Sequence, residues 1–107
     1  MKVILSDLAK NQIRETANYI SREFGKKSRD IFIQSIRETK ELLVRNPQIG
    51  PIEPLLNNRA ENYRSVVIGK LNKLVYSIKG ECIYIVAFWD CRREPKSLSK
   101  DVENSQN

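Results

Sequence analysis

The second half of the chain carries positive charge on segments with strand-forming sequences. Residues 62–100 contain eight Lys and Arg residues against three acids. The cations are Arg64, Lys70, Lys73, Lys79, Arg92, Arg93, Lys96 and Lys100. A small sheet that displays fixed cations can bind a polyanion, and two adjacent arginines at a strand end suit phosphate recognition. This segment therefore predicts nucleic acid, or a machine that handles it, as the class of partner.

The rest of the composition narrows the chemistry. The 107 residues carry a formal net charge of +6, and the chain has two Cys and no His. A metal site of the usual Cys and His type and a His-based triad are therefore excluded, and we expect neither a metal nor a cofactor. The two cysteines suit free thiols in a reducing compartment. No apolar run approaches the length of about 20 residues that spans a bilayer, and no signal peptide is recognisable. We therefore expect a cytoplasmic protein without a membrane partner.

Two amphipathic helices, preceded by a short strand at 1–5, are predicted in the first half of the chain. Inward-facing residues recur every three or four positions in both helices. They are Ala9, Ile13, Ala17, Ile20 and Phe24 in the first helix and Phe32, Ile36, Thr39 and Leu43 in the second. Ser6 is placed to cap the first helix and Gly25 to end it, while Ser28 is placed to cap the second and Pro47 to stop it. The short connection predicts an antiparallel helical hairpin.

Three strands are predicted after a loop rich in Gly and Pro, because the segments contain many β-branched and aromatic residues and are separated by turn sequences. The segments are 63–68, 73–78 and 82–88. The resulting order, β-α-α-β-β-β, predicts an α+β fold in which an antiparallel sheet packs against the N-terminal helical hairpin. We expect a single domain over residues 1–100 and a disordered polar tail over residues 101–107.

The order of these elements, together with a series of short phrases, resembles the RelE/ParE superfamily of toxins from bacterial type II toxin–antitoxin systems. The phrases are Leu8…Ile13…Ala17-Asn18-Tyr19-Ile20…Phe24-Gly25, Leu42-Leu43…Asn46-Pro47…Gly50, Tyr63-Arg64, Lys73-Leu74-Val75-Tyr76, and Arg92-Arg93 with Pro95. No single phrase is specific, but their order is. Members of this superfamily arrest growth and act beside a cognate antitoxin. RelE-like members cut mRNA on the ribosome, and ParE-like members poison DNA gyrase. The resemblance thus implies an antitoxin partner and either the ribosome with its mRNA or DNA gyrase as the target.

The same resemblance implies residues for RNA cleavage. Arg64 and Lys73 match basic residues on neighbouring strands, and Arg92 or Arg93 matches the basic residue after the last strand. In the cleaving members these cations bind the scissile phosphate. Glu53 lies in a phrase similar to the one that carries the general base of the YoeB-like branch. Lys73 replaces an Arg of the superfamily, which keeps the charge but loses bidentate geometry.

Each candidate also has a plainer interpretation. Arg64 and Lys73 could be solvated cations on the strands, and Glu53 could be an exposed loop carboxylate. One of the two adjacent arginines could pair with Asp90 or Glu94 instead of a phosphate.

Three functions remain open at this point. The leading hypothesis is a toxin that arrests growth by ribosome-dependent mRNA cleavage through its basic face. The alternatives are a ParE-like gyrase poison without catalytic activity and a catalytically silent member that binds antitoxin or operator DNA. The chain has no His and no Tyr after Trp89, so the acid that would protonate the leaving group is unassigned. The cations therefore argue for phosphate binding more firmly than for cleavage.

Overall fold

Residues 1–56, 61–93 and 95–105 are described by the computed structural model, and they follow the predicted order of elements. The elements are β1 (Lys2–Leu5), α1 (Asp7–Phe24), α2 (Lys26–Arg45), a 3-10 turn (Pro54–Leu56), β2 (Tyr63–Ile68), β3 (Asn72–Lys79), β4 (Cys82–Asp90) and α3 (Pro95–Ser105). The strands form one sheet in the order β1-β4-β3-β2. β2, β3 and β4 are the predicted antiparallel meander, whereas β1 pairs with β4 in parallel, so the sheet is mixed. The α+β class with its N-terminal helical hairpin is confirmed.

The turn between α1 and α2 is a single glycine. Ser6 caps α1 as predicted, since its Oγ accepts a hydrogen bond from the backbone N–H three residues later at 3.0 Å. Gly25 ends α1 with a φ of 95°, a conformation that residues with a Cβ rarely adopt. α2 begins at Lys26, directly after it. The prediction that Ser28 caps α2 is therefore wrong: Ser28 lies within the helix, and its hydroxyl donates to the carbonyl oxygen of Phe24 at 3.3 Å.

Helices cover both faces of the sheet. The helical hairpin packs on one face, which we call the hairpin face, and its buried cluster comprises Ala9, Ile36, Leu43, Ile68, Leu74, Tyr76, Ile83, Ile85 and Phe88. α3 and the 3-10 turn pack on the opposite face, the α3 face, whose buried cluster comprises Leu56, Tyr63, Val75, Val86, Ala87, Trp89, Leu98 and Val102. Because successive side chains of a strand point to opposite faces, the position of a residue along its strand decides which of the two surfaces it can reach.

The C-terminal helix corrects the predicted tail. α3 extends to Ser105, and its residues Leu98 and Val102 are fully buried on the α3 face. The expectation of a disordered tail from residue 101 onward is therefore wrong for 101–105, and residues 106 and 107 lie outside the described ranges. Two apolar residues four positions apart in a polar segment are too weak a pattern to predict a helix. Within the described ranges, no helix has the length and apolar character needed to cross a membrane.

Candidate functional site

Glu53 is a buried ion-pair partner and not an exposed loop carboxylate. Its side chain is fully buried, and its Oε1 contacts the ammonium of Lys73, whose side chain is 15% exposed. Its Oε2 accepts a hydrogen bond from the Leu55 N–H at 2.9 Å, and its own N–H donates to the Tyr63 carbonyl oxygen at 2.8 Å. The pair ties the segment before the 3-10 turn to β3. A general base must reach the proton that it removes, and the carboxylate of Glu53 has no exposed surface.

Arg64 holds the loop that follows α2. Its guanidinium donates to the carbonyl oxygens of Gly50 at 2.7 Å and Gln48 at 3.4 Å. Tyr76 lies opposite Arg64 in the β2–β3 register; its hydroxyl donates to the Pro47 carbonyl oxygen at 2.6 Å and accepts from the Gly50 N–H at 3.1 Å. Burial raises the pKa of Tyr76 above its usual value. Arg64 and Tyr76 therefore hold loop residues 47–50 against the hairpin face.

Glycine is required where this loop meets the sheet. A Cβ on Gly50 would lie 2.6 Å from the carbonyl oxygen of Ser65 and 3.0 Å from the Tyr76 hydroxyl. The first of these neighbours is backbone and cannot move aside cheaply. The close approach explains how a single loop residue can contact both β2 and the Tyr76 hydroxyl.

The two adjacent arginines have acidic partners. Arg92 forms a bidentate ion pair with Asp90, with Nε–Oδ1 and Nη2–Oδ2 distances of 3.0 and 2.7 Å. The hydrogen bond from Arg92 holds the pKa of Asp90 below its usual value. Arg93 lies over the Trp89 ring, 4.5 Å from its centroid, and pairs with Asp101 of α3 at 3.0 Å. The plainer interpretation, in which one arginine pairs with Asp90, is confirmed for Arg92; Glu94 lies outside the described residues.

The sequence-predicted site residues do not come together on one surface. Lys73 and Glu53 lie against the α3 face and Arg64 on the hairpin face. Arg92 and Arg93 line one cavity beside α1, and Arg93 also pairs with Asp101 of α3. Each of these five side chains already has an intramolecular partner. Arg64 and Lys73 lie on opposite faces of the sheet, so the structure does not assemble the four cations into a common phosphate-binding site.

A groove on the helical hairpin carries positive charge that sequence reasoning missed. We call it the basic groove; it has a volume of about 600 Å³ and is lined by Leu5, Lys10, Ile13, Arg14, Ala17, Asn18, Arg29, Asp30, Ile33 and Arg37. Among the described residues, Lys10 and Arg37 have no ion-pair partner, whereas Arg29 contacts Asp30 at 3.4 Å. The signal in the sequence is the helical spacing of Lys10 and Arg14 on α1 and of Arg29 and Arg37 on α2, which places cations of both helices along one groove.

A second surface, the aromatic patch, consists of Tyr19, Phe24, Leu71 and Arg92. Phe24 is 67% exposed, which corrects its predicted place on the inner stripe of α1. Its ring packs edge-on against Tyr19 at a centroid distance of 6.3 Å instead of entering the core. Leu71, from the turn between β2 and β3, borders the same cavity of about 470 Å³. Exposed aromatic rings beside an arginine are typical of protein-binding hot spots.

Helix α1 separates the two surfaces. Residues 10, 13, 14, 17 and 18 line the basic groove, whereas residues 12, 15, 16, 19, 20 and 24 line the cavity of the aromatic patch. On a helix with 3.6 residues per turn, residues 12, 15, 16 and 19 fall opposite the groove-lining set, whereas residues 20 and 24 reach the cavity from the C-terminal end of α1. A partner bound in the groove therefore need not cover the aromatic patch.

Comparison with known proteins identifies the class. The sequence matches the family described as "ParE toxin of type II toxin-antitoxin system, parDE" over residues 3–95. The chain therefore belongs to the ParE toxin family, and the resemblance to the RelE/ParE superfamily is confirmed. A type II toxin implies a cognate antitoxin as its partner.

A solved structure supports the fold independently. The chain is similar to one titled "Chromosomal ParDE TA system from P. aeruginosa", with a TM-score of 0.68 and 15% sequence identity over 84% of this chain and 95% of that chain. At this identity the likeness concerns the fold alone. No curated protein matches the sequence.

Proposed function

We propose that this toxin arrests growth by binding DNA gyrase, without carrying out chemistry of its own. The observation that carries the proposal is that Glu53, the candidate base, is fully buried in an ion pair with Lys73, while Arg64 lies on the other face of the sheet. A poison that acts by binding needs no such constellation. The ParE family match supports the same choice, since the ParE-like members of the superfamily are those that poison gyrase.

Cleavage of mRNA is the weaker alternative. The reaction needs a base for the 2′-hydroxyl, charge at the phosphate and an acid for the leaving oxygen. Glu53, the candidate base, is buried and ion-paired. The chain offers no His, and the hydroxyl of Tyr76 is engaged by backbone groups of the loop.

We assign the contact with gyrase to the aromatic patch. Phe24 and Tyr19 expose 67% and 47% of their surface in a single edge-to-face pair. Burying them against a partner would remove apolar area from water at about 25 cal/mol per Å². Arg92 is held in position by Asp90, so it can donate to the partner with little loss of side-chain freedom.

The test compares two activities of the purified toxin. Supercoiling of relaxed plasmid by gyrase is measured with increasing toxin, and translated mRNA is examined for cut ends by primer extension in a cell-free translation reaction. We expect inhibition of supercoiling and no cuts phased with codons. Phased cuts with unaffected gyrase would refute the proposal in favour of the endonuclease. Inactivity in both assays would leave the catalytically silent member as the better account.

A matched pair of variants tests the aromatic patch. Phe24→Ala should weaken inhibition of gyrase by at least about tenfold, as expected for a central aromatic contact. Ile31→Ala is the control, because Ile31 is also apolar and 63% exposed but lies on α2, outside the patch. Equal inhibition by both variants would remove the patch from the proposal.

A further inference from the structure

A third cavity lies on the α3 face of the sheet, beside the edge strand β1. We call it the β1 pocket; it has a volume of about 430 Å³ and is lined by residues of β1, β3 and β4 together with Ser6 and Glu61. Cavities of this size hold small organic molecules. None of its lining residues also lines the basic groove or the cavity of the aromatic patch. A ligand in the β1 pocket would therefore leave both of those surfaces open.

The register of the strands assembles the floor of this pocket. Ser77 on β3 pairs with Tyr84 on β4, and Tyr84 pairs with Ile4 on β1. Residues paired in this way point to the same face of the sheet, and Tyr84 packs with the cluster of the α3 face. At the end of the pocket nearest α1, the Ser6 hydroxyl donates to the Val86 carbonyl oxygen at 2.9 Å. The floor is thus largely apolar, with the hydroxyl of Ser77 set into it.

The Ser77 hydroxyl is a buried polar group that the fold does not satisfy. Ser77 is 2% exposed, and its Oγ has no hydrogen-bond partner within residues 1–56, 61–93 and 95–105. Ser6, which lines the same pocket, both donates to a carbonyl oxygen and accepts from the Ala9 N–H. Leaving a buried hydroxyl unpaired is unfavourable, so such a group calls for an explanation. Ser77 can donate to or accept from a molecule that enters the pocket.

The charged side chains of the pocket, Glu61 and Lys79, form an ion pair. Oε1 of Glu61 contacts the ammonium of Lys79, which also lies over the Tyr84 ring, 5.7 Å from its centroid. The hydrogen bond from Lys79 holds the pKa of Glu61 below its usual value, so the carboxylate is ionised at neutral pH. Its Oε2 is buried and has no hydrogen-bond partner in the described part of the chain. Because an ionised carboxylate only accepts hydrogen bonds, a ligand at this oxygen must be a donor.

We propose that the β1 pocket binds a neutral aminoheterocycle of the nucleobase type. Its amino group would donate to Oε2 of Glu61, and its adjacent ring nitrogen would accept from the Ser77 hydroxyl. The two groups are neighbours, because Glu61 contacts Lys79, which lies two residues from Ser77 on the same face of β3. Adenine presents such a donor and acceptor side by side on one edge. Its flat faces would contact Ile4 and Val86.

Other classes of ligand satisfy the pocket less well. An apolar molecule leaves Ser77 and Glu61 without partners. An anion gains little, because Glu61 already neutralises Lys79, and a cation must compete with Lys79 for the carboxylate. A neutral ligand with a donor and an acceptor on one edge meets both polar groups and leaves the ion pair intact.

Two matched compounds test the hydrogen bond to Glu61. The purified full-length toxin is titrated with adenosine by calorimetry, and its Tm is followed as a second measurement. We expect saturable binding and a Tm that rises with the adenosine concentration. Purine riboside keeps the ring system and the sugar but lacks the amino group. It should bind at least about tenfold more weakly, since it cannot donate to the charged oxygen.

A matched pair of variants tests the hydrogen bond to Ser77. Ser77→Ala should weaken adenosine binding by about fivefold or more. It should not lower the Tm of the free toxin, because the hydroxyl has no partner to lose among the described residues. Ser65→Ala is the control, since Ser65 is also a buried serine but lies on β2, outside the pocket. This control should change the Kd by less than about twofold.

An oligonucleotide distinguishes the two sources of such a base. Oligo(dA) of about eight nucleotides that binds more tightly than adenosine, and is weakened by Ser77→Ala, would show that a single strand supplies the base. Equal or weaker binding of the oligonucleotide would assign the pocket to free nucleosides. Both results support the proposed chemistry of the site.

Three results would overturn the proposal. They are the absence of saturable adenosine binding by the wild type, equal affinity for adenosine and purine riboside, and an equal Kd for the two serine variants. The comparison of compounds uses the wild-type toxin and therefore decides the test if Ser77→Ala does not fold. The pocket is independent of the choice of gyrase as target, so failure of the toxin to inhibit gyrase would refute only the proposed function.

Discussion

Removing the charge of Glu53 tests whether this residue supports the fold or takes part in catalysis. Glu53→Gln keeps the shape of the side chain and an oxygen that can accept from the Leu55 N–H, but Lys73 loses its counter-charge. Lys73→Met removes the ammonium and keeps most of the apolar stem. The double variant removes both charges, so it should be more stable than either single variant if the pair is structural.

The expected size of the effect follows from burial. Removing one partner of a buried ion pair costs about 3–5 kcal/mol, whereas replacing both is often neutral. The Lys73 side chain is 15% exposed, so water can partly solvate the ammonium that Glu53→Gln leaves behind. We expect this variant to lower the free energy of unfolding by about 2–3 kcal/mol, or about 10 °C in Tm. Lys73→Met should cost about 3–4 kcal/mol because it strands a fully buried carboxylate, and the double variant should lie within about 1 kcal/mol of wild type.

Urea denaturation and a growth assay together show whether Glu53 has a structural or a catalytic role. The four proteins of the cycle are unfolded in urea, and each is induced in cells without antitoxin. Glu23→Gln, at an exposed position of α1, is the control for loss of one negative charge. We expect the double variant to recover both stability and growth arrest. A double variant that is as stable as wild type but no longer arrests growth would refute the structural account, because the carboxylate itself would then be needed for activity.

Three further predictions concern the loop, the strand end and α3. Tyr76→Phe leaves two backbone groups of the loop without their hydrogen-bond partner and should lower the free energy of unfolding by about 2–4 kcal/mol. Because the pKa of the Tyr76 phenol is raised in the folded protein, the wild type should lose stability above pH about 10. Tyr76→Phe should abolish that loss. Because Arg92 lowers the pKa of Asp90, their pair stabilises the fold above pH about 4 and is lost as the pH falls. Asp90→Asn should therefore lose less stability than wild type between pH 6 and 3, measured by urea titration. Leu98→Ala should lower the free energy of unfolding by about 2–4 kcal/mol. An unchanged free energy of unfolding would show that α3 does not stabilise the fold.

Local patterns in the sequence were sufficient to predict β1, the helical hairpin and the three strands of the meander, in their order. Helix period and strand-forming composition are properties of neighbouring residues, so the spacing of apolar residues in α1 and α2 and the β-branched and aromatic content of the meander strands could be recognised locally. The cap at Ser6 and the stop at Gly25 are equally local, and both are confirmed. Helix α3 was not predicted from the sequence. Its stability comes from Leu98 and Val102, which pack on a sheet face formed by distant residues, and not from a periodic pattern of apolar residues in the helix itself.

Which charged side chains have acidic partners depends on contacts between distant segments of the chain. Glu53 and Lys73 are twenty residues apart and meet because the loop after α2 folds back on β3, and Arg93 finds Asp101 only because α3 packs over the sheet. Conversely, Lys10 and Arg37 come from different helices and share one groove only after the hairpin closes. A count of cations along a sequence measures net charge, but the field at a surface depends on which acids the fold brings within a few ångströms. For that reason four of the eight cations that seemed to define the meander pair with acids in the fold, whereas the basic groove and the aromatic patch both border α1.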